Sequence, residues 1–191
     1  MLYHSTRSNN PTVDSGEAVL QGLAADGGLY MPEAIPAFDW RKCLEGSSMD
    51  MATMILSALL PDIPDMETLV KNAYTGKFET DHLTPTVPVG DFGVLELFRG
   101  PTSAFKDVAL SMLPQLLTAA KTAKGMKEDI LILTATSGDT GKAALEGFHD
   151  VDGVRICVFY PHGGVSQVQR AQMVTQEGNN VAVCAVEGNF D

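Results

Sequence analysis

Three apolar runs, Ile130 to Ala135, Val154 to Tyr160 and Val181 to Val186, alternate with helix-length segments, Thr140 to Phe148 and Ser166 to Gln176. The first run, Ile130-Leu131-Ile132-Leu133-Thr134-Ala135, is continuous rather than alternating, which suits a strand buried on both faces. Strand and helix in turn at this spacing predict a parallel sheet with helices on its faces. Upstream, Val87 and Val89 alternate, and Val94 to Phe98 reads as a strand. A helix is expected from about Ser103 to Ala123, carrying Val108, Leu110, Met112, Leu113, Leu116, Leu117 and Ala120. It is apolar almost all round, so it should be buried. Pro114 inside it removes one backbone donor and predicts a kink or break.

The first part of the chain reads differently. Residues 2–5 suit a short strand, and Asp14-Ser15-Gly16-Glu17 has the spacing of a capping box, so a helix should run from there to about Leu23. Asp26-Gly27-Gly28 predicts a turn, followed by an extended Leu29-Tyr30-Met31 ending at Pro32. From Asp39 to Tyr74 the pattern is helical, broken at Gly46 and around Pro61 and Pro64. Met51, Met54, Ile55, Ala58 and Leu59 recur at helical spacing and predict a core-facing stripe. The expected organisation is therefore α/β: a mainly helical N-terminal part over 1–84, then βα units of a mostly parallel sheet over 85–191.

Composition narrows the function. A chain of 191 residues with 45% hydrophobic residues can build a substantial core. Its net charge of -11 argues against a nucleic-acid partner and against an anionic membrane surface, since both need a basic face. Cys43, Cys157 and Cys184 are widely spaced and odd in number, as in a reducing compartment. No signal-like segment opens the chain and no run of apolar residues reaches membrane length, so a cytoplasmic protein is expected. The histidines, His4, His82, His149 and His162, have no metal-ligand spacing, and no metal is expected.

Two segments can carry chemistry. In the first, Gly100-Pro101-Thr102-Ser103-Ala104-Phe105-Lys106-Asp107, a single lysine stands between a phenylalanine and the start of the long apolar helix. A lysine there is poorly placed electrostatically, because the helix dipole is positive at that end. Apolar surroundings favour an uncharged amine, which is the nucleophilic form. The ordinary alternative is a solvated surface lysine. The second segment, Thr136-Ser137-Gly138-Asp139-Thr140-Gly141, ends a strand and opens a helix. Free amides and hydroxyls at such a junction hold carboxylate or phosphate, and ligands of open α/β sheets bind outside the carboxyl ends of the strands. Simple helix capping would account for one of these residues but not for the cluster. Asp139 would repel an anion and makes better sense contacting a protonated or phenolic group. A third junction, Pro161-His162-Gly163-Gly164, reads as a turn. A reactive amine beside an anion cradle suits a Schiff base with a phosphorylated aldehyde, and pyridoxal phosphate is such an aldehyde.

Taken in order, Tyr3-His4-Ser5-Thr6-Arg7, Gly22-Leu23 to Asp26-Gly27-Gly28-Leu29-Tyr30-Met31-Pro32, Leu95-Glu96-Leu97-Phe98 through Lys106-Asp107, Ala135 to Gly141, and Gly188-Asn189-Phe190-Asp191 resemble the threonine synthase family. These are pyridoxal-phosphate enzymes of fold type II, the tryptophan-synthase-β-like type. The resemblance spans essentially the whole chain. It implies that Lys106 forms a Schiff base with pyridoxal 5'-phosphate and shuttles protons between substrate carbons. It implies that Ser137, Gly138 and Thr140 grip the substrate carboxylate. Asp139 stands where the fold type often has an asparagine near the ring's phenolic oxygen, and Arg99 stands where a histidine is expected. The implied reaction converts O-phospho-L-homoserine and water to L-threonine and phosphate. In the family, the glycine-rich cup for the cofactor phosphate lies further along than residue 191, so the resemblance implies an N-terminal fragment with an incomplete site. The alternatives are another fold-type-II enzyme, such as a serine or threonine dehydratase or a sulfhydrylase, and a non-catalytic binder of phosphorylated ligands. The Tyr-His-Ser-Thr-Arg and Asp-Gly-Gly-Leu-Tyr segments disfavour the first, and the intact Lys106 argues against the second.

Overall fold

Strands β6 (Ile130–Ala135), β7 (Val154–Pro161) and β8 (Val181–Val186) form the parallel sheet that the apolar runs predict, in the order β6-β7-β8. Helix α6 (Asp139–Phe148) joins β6 to β7, and α7 (Gln167–Val174) joins β7 to β8. The computed structural model describes residues 1–9, 11–136 and 138–188. The chain packs as two compact units, one of Met1–Ala73 and Gln115–Lys127, the other of Tyr74–Pro114 and the chain from Glu128 onward.

In the first unit, β1 (Leu2–Ser5) lies between β2 (Val13–Asp14) and β3 (Tyr30–Pro32), antiparallel to both. The Asp14 carboxylate accepts a hydrogen bond from the Glu17 amide at 2.8 Å and starts α1 (Ser15–Gln21), as the capping-box spacing predicts. The Asp26 turn is tied to β1. Its carboxylate accepts from the Ser5 hydroxyl at 2.6 Å, the Ser8 hydroxyl at 2.7 Å and the Gly28 amide at 2.9 Å, which hold its pKa down to about 2. Gly28 is required, because a Cβ there would lie 2.0 Å from the Ser5 hydroxyl. The helical stretch divides where glycine and proline predict, into α2 (Trp40–Cys43), α3 (Ser48–Leu59) and α4 (Met66–Tyr74). The methionine stripe departs from expectation: α3 has no fully buried residue, and Met51, Met54, Ile55, Ala58 and Leu59 are half-buried.

In the second unit, β4 (Thr86–Val89) and β5 (Phe92–Leu95) pair as an antiparallel hairpin around Gly90, whose φ of 60° suits glycine. Helix α5 (Asp107–Ala123) starts later than Ser103 and runs unbroken through Pro114. Its first half belongs to this unit and its second half to the other. Pro114 cannot donate to the Leu110 carbonyl four residues earlier. That carbonyl faces Gly147 of α6, where a Cβ would lie 2.1 Å from its oxygen. Gly147 thus lets α6 approach the carbonyl that Pro114 leaves without its helical donor.

The sheet differs from expectation in its cover. Consecutive strands step in one direction, so right-handed crossovers put both α6 and α7 on the same face. Under them Val154, Ile156, Val158, Tyr160, Leu145, Phe148 and Met173 are buried. The opposite face carries Leu131 at 59% exposure and Leu133 at 64%, with Phe159 and Cys184 also exposed. Continuous apolar runs call for two covers, and within the described residues the topology supplies one.

Two outcomes test this packing. Replacing Gly147 by alanine should destabilise the protein by about 1–3 kcal/mol, because backbone rather than a yielding side chain blocks the methyl group, and urea unfolding measures it. Tyr74 is 5% exposed, donates its hydroxyl to the Val108 carbonyl at 2.9 Å, and has its pKa pushed up to about 12 by burial. A phenol near pKa ~10 when unfolded gives stability that is complete below that value and lost as pH rises through the folded value. Tyr74→Phe should remove this fall between about pH 10 and 12, as urea midpoints across that range will report.

Candidate functional site

The loop before α5 is closed by one carboxylate. Asp107 is 2% exposed and accepts from the Thr102 amide at 2.8 Å and the Thr102 hydroxyl at 2.5 Å. Glycine is needed at position 100, since a Cβ there would lie 2.5 Å from the Asp107 side chain. Within the loop, Ser103 holds φ at 61°, a left-handed conformation that costs a non-glycine residue about 1–2 kcal/mol. The Ser103 amide donates to the Gly100 carbonyl and the Asp107 amide to the Ala104 carbonyl. These bonds form a turn, so the helix begins at Asp107 and Lys106 precedes it instead of standing in its first turn.

Lys106 is half-buried, with Nζ 4.1 Å from the centre of the Phe105 ring. Among the described residues no carboxylate pairs with it. Lys71, Lys124 and Lys142 are by contrast engaged by Glu67, Asp14 and Glu146. The Lys106 amine is thus held against an aromatic face without an ionic partner. Arg99, at the loop's entrance, is committed elsewhere, to Glu79 at 2.7 Å and Glu96 at 2.6 Å.

The second segment is organised by Thr136, which is 3% exposed. Its hydroxyl donates to the Gly138 carbonyl at 3.1 Å and accepts from the Gly138 amide at 3.0 Å and the Gly141 amide at 3.1 Å. The amides of Asp139 and Thr140 have no acceptor among the described residues, and they stand at the positive end of α6. Asp139 is exposed and accepts from the Gln169 amide group at 2.9 Å. Gln169 also caps α7, where its side-chain oxygen accepts from the Ser166 amide at 3.1 Å. A Cβ on Gly138 would lie 2.3 Å from the end of the Gln169 side chain, which would have to swing away from Asp139 to admit it. Gly141 packs as tightly, 2.4 Å from the Thr136 methyl group by the same measure.

Gly138, Asp139 and Thr140 therefore share one turn, and Lys106 sits on another turn of the same unit. Ser137 lies outside the described residues. The helices that these turns start, α5 and α6, touch where Gly147 meets Leu110. Sequence reading missed Asp107, Thr136 and Gln169 as supports. Gln169 had a readable signal, since Ser166 and Gln169 have capping-box spacing. A separate cavity of about 460 Å³ opens at the opposite end of the strands, lined by Asp129, Asp150, Asp152, Arg155, Asn179 and Asn180. It lies at the amino ends of the strands, away from where ligands of α/β sheets bind. Its Asn180 amide group is already bonded to the Phe148 and Val154 carbonyls.

Residues 2–74 match the family model for the threonine synthase N terminus. The whole chain aligns with threonine synthase of Pseudomonas aeruginosa at 40% identity, covering 42% of that protein. Among solved structures, pyridoxal-phosphate-bound threonine synthase from Brucella melitensis superposes with a TM-score of 0.90 at 40% identity, over 100% of this chain and 42% of that one. Threonine synthase from yeast gives 0.87 at 38% identity, over 100% and 41% respectively. The chain thus spans about two-fifths of the length of the relatives it matches.

The closed loop makes a specific prediction. Asp107→Asn exchanges one acceptor oxygen for a donor facing the Thr102 amide or hydroxyl. Stability should fall by about 1–3 kcal/mol, the usual range for disrupting a buried hydrogen-bonded charge, as a lower urea midpoint will register.

Proposed function

We propose that this chain, which corresponds over its whole length to the N-terminal portion of threonine synthases, acts in the conversion of O-phospho-L-homoserine and water to L-threonine and phosphate, with pyridoxal 5'-phosphate as cofactor. The reading is carried by the Lys106 amine, which lies over Phe105 with no acidic partner among the described residues. Such an amine has no ion pair to break before it can reach a carbonyl carbon. The residues present fit the cofactor in chemistry. There is an amine with no carboxylate partner among the described residues, on a loop closed by Asp107, and a helix start with two amides that have no acceptor among those residues, for an anionic group. When bound, the cofactor supplies an electron sink for charge developing on a substrate carbon.

The chain's own residues divide the remaining work. Lys106 Nζ would bond the cofactor's aldehyde carbon and, once released, accept and return protons at that nitrogen. Asp107 keeps the loop closed and so fixes where the amine can reach. Gly138 and Thr140 would hold the substrate carboxylate at the start of α6, together with Ser137. Asp139 would contact the ring's phenolic oxygen, with Gln169 orienting its carboxylate. In this reading residues 85–191 carry these contacts, all of them from the unit that contains Tyr74–Pro114 and the chain from Glu128 onward, so the compact units divide at Tyr74 and exchange Gln115–Lys127 rather than parting at 84.

Reductive trapping tests the proposal on the chain as it stands. Pyridoxal phosphate should produce a visible absorbance band, and borohydride should fix the label on the peptide containing Lys106. Lys106→Ala should lose the band. Label spread over surface lysines, or a band undiminished in Lys106→Ala, would overturn the assignment. O-phosphohomoserine should perturb the band at lower concentration than serine does. The reverse order would favour a dehydratase.

A further inference from the structure

Asp139 opens α6, and Gln169 stands in the first turn of α7. The Gln169 side chain is engaged at both ends of its amide group. Its Oε1 accepts from the Ser166 amide at 3.1 Å, and its Nε2 donates to Asp139 Oδ1 at 2.9 Å. The Gln169 backbone amide donates in turn to the Ser166 hydroxyl at 3.2 Å, which completes the capping box of α7. We propose that Gln169 is a positioning residue for Asp139: its oxygen caps α7, and its nitrogen decides which kind of atom residue 139 offers to the cofactor. This rests on the reading above that Asp139 meets the cofactor ring, and it adds what fixes the chemistry of that contact.

The chemistry of the donors fixes the orientation. A backbone N–H can only donate, so the Ser166 amide must meet the Gln169 oxygen, and the NH2 group is left for Asp139. An NH2 group can only donate, so the atom of residue 139 that meets it must be an acceptor. A carboxylate oxygen satisfies that, and Asp139 Oδ2 remains as a second acceptor with no partner among the described residues. An asparagine at 139 would have to turn its one oxygen to Gln169 and would offer the cofactor an NH2 group instead. The residue at 169 therefore decides whether position 139 offers an acceptor or a donor. The bond is made at the turn itself, since Nε2 lies 2.3 Å from where a Cβ on Gly138 would stand.

Glutamate at 169 separates the two duties. Its carboxylate still accepts from the Ser166 amide, and glutamate serves a capping box as well as glutamine does, so α7 keeps its cap. It has no hydrogen to give Asp139 and sets a like charge beside it. A side chain that served α7 alone would be indifferent to the change, and one that positions Asp139 would not.

A double-mutant cycle on the full chain tests the pair: wild type, Gln169→Glu, Asp139→Asn and the two changes together, with pyridoxal phosphate affinity read from the growth of the visible band. Gln169→Glu should weaken affinity about three- to tenfold in the presence of Asp139. In the Asp139→Asn background the same change should cost less than about twofold, because the asparagine can donate to the glutamate. The added charge is the same in both backgrounds, so the difference between them reports the pair. Urea midpoints of the four chains without cofactor give a second cycle on the bond itself and should be non-additive in the same sense. Equal costs in the two backgrounds, or wild-type affinity in Gln169→Glu, would overturn the positioning role and leave the Lys106 assignment standing. Additive urea midpoints would overturn the bond from which the proposal starts. Absence of the band from wild type would defeat the Lys106 reading, and this proposal with it.

Discussion

The handedness of the strand crossovers governs the second unit. With the strands in the order β6-β7-β8, two right-handed connections leave no choice of face for α6 and α7. One side of the sheet becomes core, with Ile156 and Val158 almost fully enclosed. The other side presents Leu131, Leu133 and Phe159. Because the strands run parallel, both strand-to-helix junctions lie at the same edge of the sheet, the carboxyl ends. The Asp139 carboxylate at the α6 start and the Gln169 side chain meet there because α6 and α7 lie side by side.

Within that frame, close approaches are made by glycines and secured by buried polar side chains. Gly147 lets α6 reach the Leu110 carbonyl that Pro114 cannot serve. Gly141 lets α6 settle onto Thr136 and Val158. Thr136 gathers two amides with one hydroxyl, and Asp107 closes the lysine loop with one carboxylate. The two turns that carry the candidate chemistry are thereby stiff before any ligand arrives, which is the condition for an amine or an anion cradle to act by position. The Ser103 strain is held in place by the same loop closure.

The exposed apolar surface follows from the same topology. A chain that covers about two-fifths of its relatives' length shows a sheet with one dressed face and a hairpin, β4–β5, whose residues are all exposed.

Local rules were enough to read much of this chain from its residues. The breaks at Gly46, Pro61 and Pro64, the Asp14 cap, the apolar strands and the glycine-rich junction at 136–141 all follow from propensity, capping and periodicity, which act over a few residues. Lys106 stood out because its neighbours were unusual for a lysine. Other features required the fold. Periodicity reports how apolar a strand is, not which face is covered, so the open side of the sheet was invisible. The start of α5 goes with Asp107 reaching back to Thr102, and the close approach of α6 at the Leu110 carbonyl depends on a glycine in that helix. The sequence alone determined the kinds of elements and the residues able to do chemistry, because those are properties of short segments. Tertiary structure decided which groups are paired, buried or brought within bonding distance, because those are set by contacts between residues far apart along the chain.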